Sequence, residues 1–134
     1  MRMVFWGLLV VVVAFLAYVR LAPTDVEQWH QSIDATTDKD FAGGALRVLD
    51  APDDALAKLD VIAQQTPRTK RIAGSPEDGR MTFETRSLWI GFPDYTTVEL
   101  IDGQLRIYAR LRFGKADLSV NRKRVTRWIE ALKS

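Results

Sequence analysis

"DYTTVELIDGQLRIYARLRF", residues 94–113, decides the fold because two alternating runs flank an Asp-Gly dipeptide. Asp102 and Gly103 suit a two-residue type I′ turn, in which both central positions need a positive φ. That turn predicts these cross-strand neighbours: Leu100 with Leu105, Glu99 with Arg106, Val98 with Ile107, Thr97 with Tyr108, and Tyr95 with Arg110. The period of two and the turn chemistry therefore indicate the same antiparallel hairpin.

The predicted hairpin has one apolar face and one polar face. The apolar face carries Val98, Leu100, Leu105, Ile107, Leu111 and Phe113. The polar face carries Glu99, Arg106, Tyr108, Arg110 and Arg112. Arginine and aromatic side chains are common in protein interfaces, so we expect Arg106, Tyr108, Arg110 and Arg112 to be interaction candidates. Glu84 and Glu99 can neutralise part of this face by cross-strand pairing.

The other elements surround this hairpin. Residues 44–50 alternate as a strand, and residues 51–65 have the apolar spacing of a helix, with Pro52 suited to its first position. Residues 69–75 and 80–92 predict two strands around a turn. The last helix is predicted from Ser119 to Lys133, with an apolar stripe of Val120, Val125, Trp128, Ile129 and Leu132. The order β-α-β-β-β-β-α predicts an α+β domain, with an antiparallel sheet of about five strands and two helices on one face.

An apolar run precedes this domain, and its residues 3–19 carry no charge. Residues 3–22 are apolar apart from Arg20, and about twenty helical residues cover the 30 Å of a bilayer core. The end of the run lacks the small residues that a signal peptidase needs, so an uncleaved anchor is favoured over a signal peptide. A buried core helix is the other alternative, but such helices usually carry a polar stripe.

The flanking cations predict the topology. The amino terminus and Arg2 precede the span and Arg20 follows it, which favours a cytoplasmic N-terminus. We expect a single-pass anchor at 1–22 in the inner (cytoplasmic) membrane, a tether at 23–43 and a periplasmic domain at 44–134. Residues 3–22 would contact membrane lipid, and Trp29 in the tether would lie at the membrane interface.

Several classes of site find little support in the composition. The chain has no cysteine and only one histidine, His30, so we expect no metal and no cofactor. No nucleophile and base stand together in the motif region, and we expect no catalytic site. The arginine face could suit nucleic acid, but an extracytoplasmic location argues against that partner. Residues 115–134 carry a local charge of +4, six cations against two acids, which could meet anionic lipid or an acidic partner.

"FGKADLSVNRKR", residues 113–124, joins the last strand to the last helix. Gly114 lets the backbone leave the strand, Asp117 or Ser119 can cap the helix, and Asn121 lies in its first turn. A structural role explains most of this stretch.

Residues 21–133 resemble the domain of unknown function 1499 family, whose members end in R-S-x-S-R-x-G-x-S-D-x-G-x-N-R-x-R after an F-x-D element. The corresponding residues are Phe92, Asp94, Arg112, Gly114, Asp117, Asn121, Arg122 and Arg124. The chain departs from this run at Tyr108, Ala109, Leu111, Ala116 and Ser119. The resemblance implies an α+β fold and an envelope setting without a transferable activity, and it adds Asp117, Asn121, Arg122 and Arg124 to the interaction candidates.

Two functions follow from these expectations. The first is a non-catalytic interaction module that docks its arginine face on a larger membrane assembly as an accessory subunit. The alternative is a domain whose sheet and helices enclose an apolar cavity for a lipid or another hydrophobic ligand. Under the first, replacing Arg106, Arg110 and Arg112 by glutamate should release a protein partner without changing the melting temperature.

Overall fold

The computed structural model describes all 134 residues and places them in four helices and six strands. The helices are α1 (Arg2–Leu21), α2 (Val26–Trp29), α3 (Ala55–Gln64) and α4 (Val120–Lys133). The strands are β1 (Lys39–Phe41), β2 (Gly44–Asp50), β3 (Thr69–Ser75), β4 (Arg80–Arg86), β5 (Pro93–Ile101) and β6 (Gln104–Leu111). They form one antiparallel sheet in the order β1-β2-β6-β5-β4-β3. The α+β prediction is confirmed.

The predicted hairpin register is also confirmed. Leu100 pairs with Leu105 and Tyr95 with Arg110, as the Asp-Gly turn requires. Asp102 and Gly103 have φ values of 51° and 76°, the positive values of a type I′ turn. The sheet has six strands where about five were expected, because β1 forms an extra edge. Its three residues are all exposed, so β1 leaves no alternating pattern in the sequence.

The apolar core lies between the sheet and the two longer domain helices, α3 and α4. Phe83 of β4 meets Trp128 of α4 edge to face, with ring centroids 5.7 Å apart. The Trp128 indole N–H also donates to the Thr66 hydroxyl over 2.9 Å, so its polar atom is satisfied inside the fold. The cluster comprises Leu56, Leu59, Ala63, Met81, Phe83, Val98, Leu105, Ile107, Ala109, Val125 and Trp128.

Three sequence expectations about this side of the sheet need correction. Val120 is 45% exposed, and the first buried apolar residue of α4 is Val125. Phe113 contacts Tyr18 and Phe92 near α1 instead of joining the core. Helix α3 begins at Ala55, so Pro52 lies before it, and its carbonyl accepts the Ala55 N–H over 3.0 Å.

Helix α1 is long and apolar enough to cross a membrane, and a signal sequence near the N-terminus meets the same criteria. Only Val19 is buried against the domain, at 1% exposure, while most α1 side chains are open to their surroundings. Those exposed side chains rule out the interpretation of α1 as a buried core helix.

Residues 23–33, which we name the strap, run across the sheet face opposite α3 and α4. Trp29 stacks on Tyr95 of β5 with ring centroids 4.4 Å apart, and Ile33 is only 5% exposed. This part of the segment expected to be a free tether is therefore attached to the sheet. Trp29 was expected to lie at the membrane interface, but in the structure it packs on the domain.

Candidate functional site

The predicted arginine face lies beneath the strap. Arg106 donates to the Ile33 carbonyl over 2.6 Å, and Arg110 donates to the Trp29 carbonyl. Arg112 donates to the Pro23 carbonyl over 3.0 Å. An irregular segment leaves backbone carbonyls without helix or sheet partners, and a guanidinium with five N–H groups can satisfy them. The three arginines therefore bind the chain's own backbone.

Tyr95 is the centre of this contact. It is fully buried, and the Trp29 ring covers it at an interplanar angle of 26°. Its hydroxyl lies 2.8 Å from the Thr24 hydroxyl, 3.2 Å from an Arg112 nitrogen and 3.3 Å from a Glu84 oxygen. The ring holds the middle of the strap and the hydroxyl holds its start.

Two buried carboxylates lie on the same face of the sheet, and each pairs with an arginine of β4. One Glu99 oxygen accepts the Ile33 N–H at 3.1 Å and the Ser32 hydroxyl at 3.0 Å, while the other accepts from Arg80 at 3.0 Å. Glu84 accepts from Arg86 at 3.0 Å. Glu99 was expected to pair across the sheet with the arginine face, but its ion-pair partner is Arg80, its cross-strand neighbour on β4.

Arg110 has the most perturbed environment on this face. Burial lowers its pKa to about 10, and the guanidinium remains charged at neutral pH. It lies over the rings of Tyr108 and Trp29, with its central carbon 4.6 Å and 5.2 Å from their centroids. A cation between two aromatic rings is stabilised by both.

The structure thus brings Arg106, Tyr108, Arg110 and Arg112 together, but as a half-buried layer under the strap. A partner that binds these three guanidinium groups would compete with the carbonyls of the strap. We now expect the triple replacement by glutamate to lower the melting temperature, because it removes the donors that hold the strap.

The residues of the family motif form a second polar cluster on the helix side of the sheet. Arg124 donates to the Asn121 side-chain oxygen over 2.7 Å and lies 3.4 Å from an Asp94 oxygen. The Asn121 amide donates to Asp117 over 2.7 Å. We name Asp94, Asp117, Asn121 and Arg124 the polar clasp, because it connects β5 to the start of α4.

Asp117 is the capping residue of α4. Its two carboxylate oxygens accept the backbone N–H groups of Ser119 at 3.0 Å and Asn121 at 2.9 Å. Ser119 makes no capping bond with its side chain and adopts the left-handed conformation, with φ of 67°. A carboxylate at this position also complements the helix dipole. The alternatives left open by the sequence are resolved in favour of Asp117.

Burial dominates the electrostatics of the clasp. Asn121 is fully buried and Arg124 is 5% exposed. Burial raises the pKa of Asp94, and the neighbouring Arg124 opposes that change. Burial also lowers the pKa of Arg124, which Asp94 opposes in turn. Each group therefore depends on the other to stay charged inside the fold.

The geometry of the clasp indicates a structural role. A carboxyl group with a raised pKa can act as a general acid, but catalysis also needs a cleft and a second group aimed at the same atom. The four clasp side chains hydrogen-bond one another and line no part of the groove of about 660 Å³ that opens beside β3 and β4. They join the elements around them.

The remaining motif residues lie apart from the clasp. Phe92 contacts Phe15 of α1 and Phe113, with centroids 6.2 Å and 6.1 Å apart. Gly114 has φ of 90° where the chain leaves β6. Arg122 is exposed and lies 3.6 Å from Asp40. The motif is thus divided between a helix cap, a buried ion pair and a contact with α1.

His30 gives the strap a dependence on pH. Its Nδ1 lies 2.8 Å from the Thr82 hydroxyl. Burial lowers its pKa, Arg80 lowers it further, and Asp78 and Glu99 oppose the change. Below pH 6.5 the imidazole therefore binds a proton more readily in the unfolded chain than in the folded one. The contribution of neutral His30 to the free energy of unfolding is present above pH 6.5 and is lost as the pH falls below that value.

We expect the melting temperature of the detergent-solubilised chain to fall more steeply below pH 6.5 than that of His30→Gln. Glutamine retains hydrogen-bonding capacity without titrating, so the difference between the two curves isolates the histidine. Near-ultraviolet circular dichroism measures the melting temperature of both chains at each pH. Parallel curves through this pH range would contradict the assignment.

Sequence reasoning did not identify the buried side of the strap. Thr24, Glu84 and Tyr95 interact beneath it, and none was a predicted site residue. One signal was present, since two glutamates and a tyrosine lie on the same strand faces as the arginines. Such balanced charges indicate a face that something covers, but not what covers it.

The comparisons with known proteins agree with the resemblance drawn from the motif. A family model described as protein of unknown function (DUF1499) matches residues 19–132. No curated protein matches the chain. The match includes the strap, the whole sheet and nearly all of α4.

Proposed function

Since the chain belongs to the DUF1499 family, whose members have no assigned function, we propose from its geometry that it is a non-catalytic membrane-anchored interaction module. Helix α1 holds it in the cytoplasmic membrane as a single span, and the domain lies on the periplasmic side. The protein acts there as an accessory subunit of a larger membrane assembly.

One observation carries this proposal: the domain is fastened directly to the end of α1. Arg86 donates to the Val19 carbonyl over 3.2 Å, and Arg20 donates to the Trp89 carbonyl over 2.8 Å. Tyr18 meets Phe113 with ring centroids 6.0 Å apart. A domain joined by these contacts presents its outer surface at a defined height and angle to a bilayer.

The surface available to a protein partner is the outer side of α4. Because the strap covers the arginine face, we place the partner on exposed cations of α4: Lys123, Arg127 and Lys133. These three side chains make no salt bridge, whereas Arg122 pairs with Asp40. Exposed cations without an ion-pair partner favour a partner with an acidic surface.

The alternative function, binding of a hydrophobic ligand, has less support. It was expected to use a cavity between the sheet and the helices, and that space is filled by the eleven buried residues of the core. The groove beside β3 and β4 is open, and Leu88 is its one hydrophobic lining residue. We therefore place this function second.

Affinity purification tests the interaction module. We expect a tagged protein, extracted from its native membranes in mild detergent, to retain one protein partner at near one-to-one stoichiometry by mass spectrometry. Lys123→Glu/Arg127→Glu/Lys133→Glu should lose that partner, because reversing rim charges weakens association.

The same variant should keep its melting temperature, since exposed unpaired cations contribute little to stability. The replacement Lys58→Glu on α3 is a control elsewhere on the domain, because Lys58 is exposed and pairs only with Asp54 of its own helix region. Recovery of no protein above background, or equal recovery with the triple variant, would contradict the proposal.

A further inference from the structure

The loop between β4 and β5, residues 87–92, exposes an apolar surface beside the end of α1. Leu88 is 59% exposed, Trp89 85% and Ile90 39%. Three consecutive exposed apolar side chains are unusual on a soluble surface and typical of a binding surface. The position of these three side chains relative to α1 indicates which surface they contact.

The loop has a defined conformation. The Ser87 hydroxyl accepts the N–H groups of Gly91 at 3.0 Å and Phe92 at 2.9 Å. Arg86 donates to the Gly91 carbonyl over 2.8 Å while it also donates to Val19 of α1. The apolar side chains therefore project from a loop that is tied to the last turn of α1.

The contacts with α1 also give the height of the loop. The Trp89 carbonyl accepts from Arg20, the first charged residue after the apolar run, and Phe92 contacts Phe15. Phe15 and Arg20 are five positions apart, which corresponds to about 7.5 Å along a helix axis. Residues 89–92 thus run from the level of Arg20 toward the apolar part of α1.

Cations lie next to this loop. Arg20, Arg68, Lys70 and Arg86 line the groove of about 660 Å³, where Glu84 is the one carboxylate. Lys70 is 69% exposed in its side chain. Cations above an apolar edge match the order of layers in a membrane, in which phosphates lie outside the acyl chains.

We propose that Leu88, Trp89 and Ile90 insert into the interface of the same leaflet that α1 enters, with the exposed groove cations Arg20, Arg68 and Lys70 facing lipid phosphates. This rests on the proposed membrane anchoring by α1. Tryptophan is enriched at that level because its ring is largely apolar and its N–H is polar. The domain then lies against the bilayer through the loop as well as the span.

Spin labelling tests the depth of the loop. The chain has no cysteine, so Ile90→Cys, Ile101→Cys and Val12→Cys each carry one nitroxide on the full-length protein. Ile90 and Ile101 are both 39% exposed. Ile101 is the last residue of β5 and lies about 26 Å from Pro93, the first residue of that strand. Each variant is reconstituted in vesicles of phosphatidylcholine and phosphatidylglycerol in equal parts.

The ratio of collisions with oxygen to collisions with an aqueous nickel chelate reports depth in lipid. We expect a high ratio at Val12, an intermediate ratio several-fold above the aqueous value at Ile90, and the aqueous value at Ile101. A high ratio at Val12 with equal low ratios at Ile90 and Ile101 would overturn the insertion and leave the anchor intact. Low ratios at all three positions would overturn the anchor together with the insertion.

Discussion

Replacing Arg124 by methionine should destabilise the protein by about 3–5 kcal/mol, which is the usual effect of removing one partner of a buried ion pair. The side chain is 7% exposed and is the cation nearest to Asp94. Without it, the buried Asp94 carboxylate and the Asn121 amide oxygen both lose a donor. Chemical denaturation of the full chain in detergent, followed by tryptophan fluorescence, measures the change.

Two further variants separate the ion pair from other effects. Arg127→Met removes an exposed cation of the same helix, so we expect a change within about 0.5 kcal/mol. Arg124→Met/Asp94→Asn removes both charges and should recover part of the loss, because no unpaired charge remains buried. If Arg124→Met and Arg127→Met have equal stability, the clasp does not hold α4 to the sheet.

Tyr95→Ala should have an effect of similar size, about 3–5 kcal/mol, the range for truncating a buried aromatic residue. The tyrosine is fully buried on β5, beneath Trp29 of the strap. Its loss removes the surface on which Trp29 stacks and the hydroxyl that meets Thr24 and Arg112. We therefore expect Tyr95→Ala to speed hydrogen exchange of strap amides, including that of Ile33, more than it speeds exchange of the amides of α3.

Tyr95→Phe is the matched control because it keeps the ring and removes only the hydroxyl. Its expected loss is about 1 kcal/mol, the usual value for one buried hydrogen-bonding group. Strap exchange should stay close to that of the native chain, since the Trp29 contact remains. Equal exchange of the strap in Tyr95→Ala and Tyr95→Phe would mean that the ring does not hold the strap.

Local patterns determined most of the domain. The Asp-Gly turn and the period of two predicted the pairing of β5 with β6 residue by residue, because turn geometry leaves one register in which apolar residues share a face. The apolar spacing predicted α3 and α4; α3 begins four residues later and ends one residue earlier than predicted, and α4 begins one residue later. The motif residues were correctly placed at a strand-to-helix joint, since capping depends on neighbours in the sequence.

The strap could not be predicted in the same way. Residues 23–33 have no regular period, and several of their backbone groups pair with side chains 66 to 89 positions away, such as Glu99 for Ile33 and Arg112 for Pro23. Arg106, Arg110 and Arg112 were expected to bind a partner because the sequence shows which face of a sheet a side chain occupies. It does not show what covers that face. Strand β1 was not predicted for a related reason, because its three exposed residues show no alternation of apolar and polar side chains.

By itself the sequence determined the fold class, the apolar helix, the hairpin register and the family, because these depend on turn chemistry, periodicity and local motifs. Only the tertiary structure decided that the arginines hold the strap, that Asp94 reaches Arg124 across thirty positions, and that residues 88–90 lie beside Arg20. Contacts between distant residues depend on how separate elements pack, and packing is set by the whole chain at once.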